Sequence, residues 1–136
     1  MSIADMDDSE RYQRGLSKRR KALGSAYVDR SIAARTALTR EFQEMITRNA
    51  WGDIWTRPHF DDRTRRILVL GTLVALDKWD EFQLHLRAAL TEGGFSIDDV
   101  KEILLQQSVY CGVPAANHAF KLAGDIIREL EQARPG

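Results

Sequence analysis

The chain has almost no sulfur chemistry to offer. Cys111 is the only cysteine in 136 residues, which excludes an intrachain disulfide framework, a CxxC redox couple and any multi-cysteine metal site. Net charge is also lacking: 20 Lys+Arg oppose 20 Asp+Glu for a formal +0, so no global field draws nucleic acid or an anionic membrane. The longest apolar stretch, Ile67 to Leu76, is interrupted by Gly71 and Thr72 and is far too short to span a bilayer. The opening MSIADMDDSE has neither the basic start nor the apolar run of a signal peptide. There is no glycine-rich phosphate loop, no GxSxG elbow and no HExxH, and His59 and His118 stand without a second ligand at metal spacing. The expectation is a cytoplasmic protein without a metal, a membrane anchor or a nucleic-acid partner, which acts on a small molecule or binds another copy of itself.

No segment shows sustained period-two alternation or an Asn-Gly hairpin signal. What is present is helical periodicity, in a chain 43% hydrophobic whose length suits one compact domain over 9–136 after a flexible terminus at 1–8. The pattern predicts six helices. The first runs from about Glu10 to Leu23 and stops at Gly24, its SKRRK run read as a solvated face. A connector through Val28-Asp29-Arg30 leads to a second from about Thr36 to Ala50, and Trp51 to Pro58 is a loop carrying two large aromatics. The third opens at Asp61 or Asp62 and, apolar on nearly every side from Ile67, is expected to be the central helix, buried all round. The fourth, Trp79 to Thr91, ends at Gly93-Gly94; the fifth opens on Ser96-x-x-Asp99 and closes at Tyr110-Cys111-Gly112; the sixth takes Pro114 in its first turn and runs to about Glu129. The fold class is all-α, a six-helix bundle. The two-sided third helix and an outward Leu84 make it homo-oligomeric.

Glu81 and His85 are the leading candidates for chemistry. They lie one turn apart on the edge of a helix whose inward residues are Trp79, Phe82, Leu86, Ala89 and Leu90. A carboxylate beside an imidazole fixes its tautomer and raises its pKa, as a general acid or base at neutral pH requires; the alternative is an ion pair at the edge of the core. Lys78, on the same edge, either adds a cation or snorkels to solvent. Arg63, Arg65 and Arg66 open the third helix, with Arg57 upstream. A guanidinium facing a cavity beside His85 would bind an acidic substrate; repulsion disfavours burying three, and Arg66 leads directly into the apolar segment. Cys111 continues the stripe Ile97, Val100, Leu104, Ser108, where a small buried hydrophobe is the first reading and a substrate contact the second. Glu102, on the opposite side, is expected in solvent. The residues by themselves support an acid/base site in a helical bundle.

The strings FQEMITRNAWGDIWTRP, DDRTRRILVLGTLVAL, LHLRAAL and DDVKEILLQQSVYCGVPAANHAF resemble the carboxymuconolactone decarboxylase family, over about Arg11 to Leu130. The resemblance implies an all-α homotrimer or homohexamer. It also implies cofactor-independent decarboxylation of 4-carboxymuconolactone to 3-oxoadipate enol-lactone and CO2, in protocatechuate breakdown by the β-ketoadipate pathway. His85 and Glu81 would be catalytic, with Arg66, Arg57, Lys78 and Cys111 contacting the anionic lactone. In the wider alkylhydroperoxidase-like superfamily, peroxidase-type members carry a Glu, then CxxC, then a His; aligned on His85, the thiol positions fall on Lys78 and Glu81 and the glutamate on Arg66, which excludes peroxidase chemistry. Trp79, Asp77, Tyr27 and His118 depart from the family pattern and bear on substrate preference. Competing readings are a related lyase on another lactone or β-keto acid, and a helical assembly module without activity.

Overall fold

In the computed structural model residues 7–134 are described, and they group into two compact units, one ending at Asp62 and the other beginning at Arg63. Most of the terminus expected to be flexible lies outside the described residues. Asp7, at its end, already caps α1 (Asp8–Leu23), its carboxylate accepting the Glu10 N–H at 2.8 Å. The all-α expectation holds: the described residues form seven α-helices and one π-helix, with no strand among them. No helix among them is long and apolar enough to cross a membrane.

The first unit corrects the predicted helix count. Gly24, with φ 91°, ends α1 and at once starts α2 (Ser25–Ala33), where a connector is predicted. Val28 is fully buried while Asp29 and Arg30 after it are exposed, so one inward residue anchors a helix too short to show periodicity. Thr36 and Thr39 then bond each other's backbone N–H groups through their hydroxyls, at 3.0 and 3.3 Å. That turn delays α3 (Arg40–Ile46) beyond the predicted start.

The predicted aromatic loop is helical in its first half only, Trp55 to Pro58 remaining turn and coil. A π-helix spans Thr47–Ile54, with the Trp55 N–H bonded to the Ala50 carbonyl five residues back at 2.9 Å. Trp51 and Trp55 are buried and stack at 4.8 Å between centroids. Two glycines admit α1 against this segment: a β-carbon on Gly15 would collide with the Thr47 carbonyl oxygen and stand 2.8 Å from the Gly52 nitrogen. Arg11 ties the two together, donating to both Asp53 oxygens at 3.1 and 2.6 Å.

The second unit follows the predicted boundaries closely. It comprises α4 (Asp62–Ala75), α5 (Trp79–Thr91), α6 (Ile97–Tyr110) and α7 (Val113–Gln132). Ser96 and Asp99 form the capping box of α6; Gly112, with φ 93°, separates α6 from α7, whose first turn holds Pro114. The core joins Leu70 and Val74 of α4, Phe82 and Leu86 of α5, Leu104 of α6 and Ala119 of α7, each at most 1% exposed. The expectation that α4 is buried all round is corrected: Leu70, Gly71 and Val74 are buried, but Leu68 is 54% exposed and Leu76 59%. An apolar helix with one open face within its chain presents that face to solvent or to another molecule.

Candidate active site

The centre of the second unit brings together three of the residues singled out from sequence. α5 carries Glu81 and His85 on adjacent turns, with Phe82 and Leu86 between and beside them locked in the core. His85 is half-buried and Glu81 exposed. From α4, Arg66 enters the buried layer at 5% exposure, close enough for its charge to act on His85. Its side chain is held against the turn between α5 and α6, where a β-carbon on Gly93 would lie 2.7 Å from Arg66 Nε and 2.9 Å from its Cδ.

The electrostatics reverse the expected shift on His85. Burial disfavours the imidazolium most, Arg66 adds repulsion, and Glu81 opposes both more weakly, so the pKa is pushed down to about 4. At neutral pH the side chain is therefore a neutral imidazole beside a buried guanidinium. An anion placed beside the ring would favour its protonation.

The other candidates separate by location. Arg63 is engaged at the start of α6: it pairs with Asp99 at 2.6 Å and lies over the ring of the core residue Phe95 at 4.6 Å. The Ser96 backbone N–H and Arg63 hold the Asp99 carboxyl below the usual carboxylate range. Arg65 is half-buried. Of the three arginines, Arg66 alone is buried, as its position before the apolar run predicts. Lys78 sits exposed at the N-terminus of α5. Cys111 caps α6 at the edge of the core, its thiol 3.6 Å from Gln107 Oε1 of the same helix. Arg57 belongs to the first unit, where it is exposed.

His118, which the sequence marks only as a departure from the family pattern, packs against Trp79 with ring centroids 4.5 Å apart and planes tilted by 54°. Two of the departures from the family pattern are thus one contact between α5 and α7. Only their joint appearance as departures could have signalled it. Gly93 is likewise missed, because from sequence it reads simply as a helix stop. Two cavities open elsewhere in this unit. One, of about 450 Å³, lies among Leu90, Phe95, Ile97 and Leu130, and one of about 180 Å³ is lined by Ile67, Ile103 and Gln107; neither lining includes His85.

Residues 40–125 match the carboxymuconolactone decarboxylase family. The chain is 38% identical over 125 residues to a 4-carboxymuconolactone decarboxylase of Acinetobacter baylyi, covering 92% of each. It is 35% identical over 128 residues to a nitrosuccinic acid decarboxylase of Metarhizium robertsii, covering 91% of this chain and 89% of that one. A 4-carboxymuconolactone decarboxylase sequence of Pseudomonas putida is 50% identical over 48 residues, 35% of this chain and 100% of that sequence.

Proposed function

The chain belongs to the carboxymuconolactone decarboxylase family and is a carboxy-lyase, and from that premise we propose that it converts 4-carboxymuconolactone to 3-oxoadipate enol-lactone and CO2. The observation that carries this reading is the 38% identity across 92% of both chains to a decarboxylase of that name. A buried arginine beside a neutral histidine suits a dianionic lactone. The place of the reaction is protocatechuate breakdown by the β-ketoadipate pathway, in the cytoplasm.

The substrate supplies its own electron sink. Its γ-carbon bears the departing carboxylate and an acetate arm, and a ring double bond connects that carbon to the lactone carbonyl. When the C–C bond breaks and CO2 leaves, the electron pair moves through the double bond onto the carbonyl oxygen, giving a dienolate. Protonation at the α-carbon then yields the enol-lactone. The protein holds the acetate carboxylate, keeps water from the departing one, and delivers the proton.

Arg66 anchors the acetate carboxylate in this scheme, and His85 carries the proton. In the free protein the imidazole is neutral. The dianion raises its pKa on binding, so the ring takes up a proton with the substrate and gives it to the α-carbon after CO2 has left. Glu81 has the minor part of supporting the transient imidazolium. Lys78 and Cys111 are secondary substrate contacts, and the exposed apolar face of α4 together with Val109, Tyr110 and Val113 supports assembly into a homotrimer or homohexamer.

A second reading is favoured by the nitrosuccinic acid decarboxylase relative. Nitrosuccinate and 4-carboxymuconolactone are both dicarboxylates in which one carboxylate can leave toward a built-in electron acceptor. The same anchor and proton carrier would serve either. Purified protein is to be given each compound without added cofactor, with CO2 release and product NMR as readouts. Turnover of the lactone at least 100-fold above nitrosuccinate is the expected result; the reverse preference, or no CO2 from the lactone, removes the proposal.

A further inference from the structure

Two arginines of the first unit stand close together with no carboxylate paired to either among the described residues. Arg19 of α1 is 5% exposed; its Nη2 donates to the Ser31 hydroxyl at 3.1 Å, and the Tyr27 hydroxyl is a second hydrogen-bonding neighbour. Its Nε and Nη1 are buried with no acceptor. Arg35, just after α2, is close enough to repel it. Arg35 donates to the Tyr12 hydroxyl at 3.1 Å, lies 5.9 Å from that ring, and also leaves its Nε buried without an acceptor. Among the described residues, neither arginine forms an ion pair with a carboxylate. Nearby acids are committed elsewhere, Asp29 to Arg20 and Asp53 to Arg11, each at 2.6 Å.

Elementary electrostatics does not leave such a pair as it stands. A guanidinium cannot shed its proton at any accessible pH, and burying a charge without a partner costs several kcal/mol. Two side by side add mutual repulsion. The neighbours are all able to donate to an oxyanion: the hydroxyls of Tyr12, Tyr27 and Ser31 join three guanidinium nitrogens that lack acceptors. Tyr12, Tyr27, Ser31 and Arg35 are half-buried, so the cluster reaches the surface on one side. We propose that Arg19 and Arg35 form an anion-binding site in the first unit for a small dianionic oxyanion, a dicarboxylate or a phosphate.

The test uses the full chain carrying Arg66→Ala, which keeps anion binding by that residue out of the readout. Thermal midpoints are followed against succinate and, separately, inorganic phosphate, and binding is quantified by calorimetry. One of the two anions is expected to raise the midpoint saturably, and which one does so identifies the source. Arg35→Gln should weaken that binding at least tenfold, since it removes a charge and a buried donor. Arg19→Met should abolish it; should that variant not fold, Arg35→Gln and Tyr12→Phe carry the test. Unchanged binding in Arg35→Gln overturns the proposal, as does the lack of any response to either anion. A fall in oligomeric mass in Arg35→Gln without anion binding overturns it too, by assigning the counter-ion to a second copy of the chain.

Discussion

Arg66 and Gly93 are in direct register: a β-carbon on the glycine would stand 2.7 Å from Arg66 Nε and 2.9 Å from the Ala89 carbonyl oxygen. The turn between α5 and α6 is thus shaped around a guanidinium carried by α4. Replacing Gly93 by alanine has to move Arg66 and also strain the backbone at Ala89. We expect a loss of about 1–3 kcal/mol in stability, read from urea midpoints, and a rise in KM that exceeds the fall in kcat. A variant with normal KM would show that the position of Arg66 is immaterial to substrate binding.

His85 should make stability depend on pH. Its folded pKa of about 4 lies below the ordinary 6.5, so between those values the unfolded chain binds more protons and stability rises with pH. The contribution is complete above pH 6.5 and is lost as pH falls toward 4, to a limit of about 3 kcal/mol at 1.36 kcal/mol per pKa unit. Thermal midpoints of wild type and His85→Gln between pH 4 and 7 check this. The variant should show a flatter dependence in that window, and parallel curves would contradict the shift.

Activity should respond more sharply. His85→Ala is expected to lower kcat on the lactone by about 10²–10³, with circular dichroism unchanged, because the proposed proton carrier is lost while the α5 core residues stay in place. Near-normal turnover would remove His85 from the mechanism.

Legibility in the sequence followed what each residue could disclose alone. Ser96 and Asp99 announce their capping box, and Gly112 with Pro114 marks the α6–α7 junction, so those boundaries agree with the structure. The π-helix is not legible, because Gly52 and Pro58 around the two tryptophans read as a loop and i to i+5 bonding over eight residues leaves no sequence period of its own. At the site, Arg66 is legible because it adjoins an apolar run. The pKa of His85 is not: spacing displays Glu81 on the same helix, whereas burial and the charge of Arg66 arrive through tertiary packing.

The two groups flanking His85 pull in opposite directions, which makes their roles separable by NMR titration. Arg66→Met removes a repulsive charge, so the imidazole pKa should rise from about 4 toward 6.5. Glu81→Gln removes the weaker attraction, and the pKa should fall further. For catalysis, Arg66→Met should raise KM by about 10- to 100-fold, the equivalent of a charge-assisted bond of about 1.5–3 kcal/mol. Glu81→Gln should cost only a few-fold in kcat. Equal losses from both variants would restore Glu81 to a principal role.

Gly15→Ala tests whether the α1 contact with the π-helix is as close as it stands. The added β-carbon meets the Thr47 carbonyl oxygen and the Gly52 nitrogen, both backbone atoms, so no rotamer change can relieve the collision. Either α1 or the π-helix must shift, taking the Arg11–Asp53 pairing with it. The expected loss is about 3 kcal/mol or more, at the upper end for overpacking. Gly124→Ala is the control. It too lies within a helix, but a β-carbon there meets nothing within 4 Å, so alanine should stabilise by about 0.5–1 kcal/mol through its better helix propensity. Opposite signs for the same chemical change in urea unfolding would establish the glycine contact as a packing requirement. If both variants prove stabilising, α1 does not approach the π-helix at that distance.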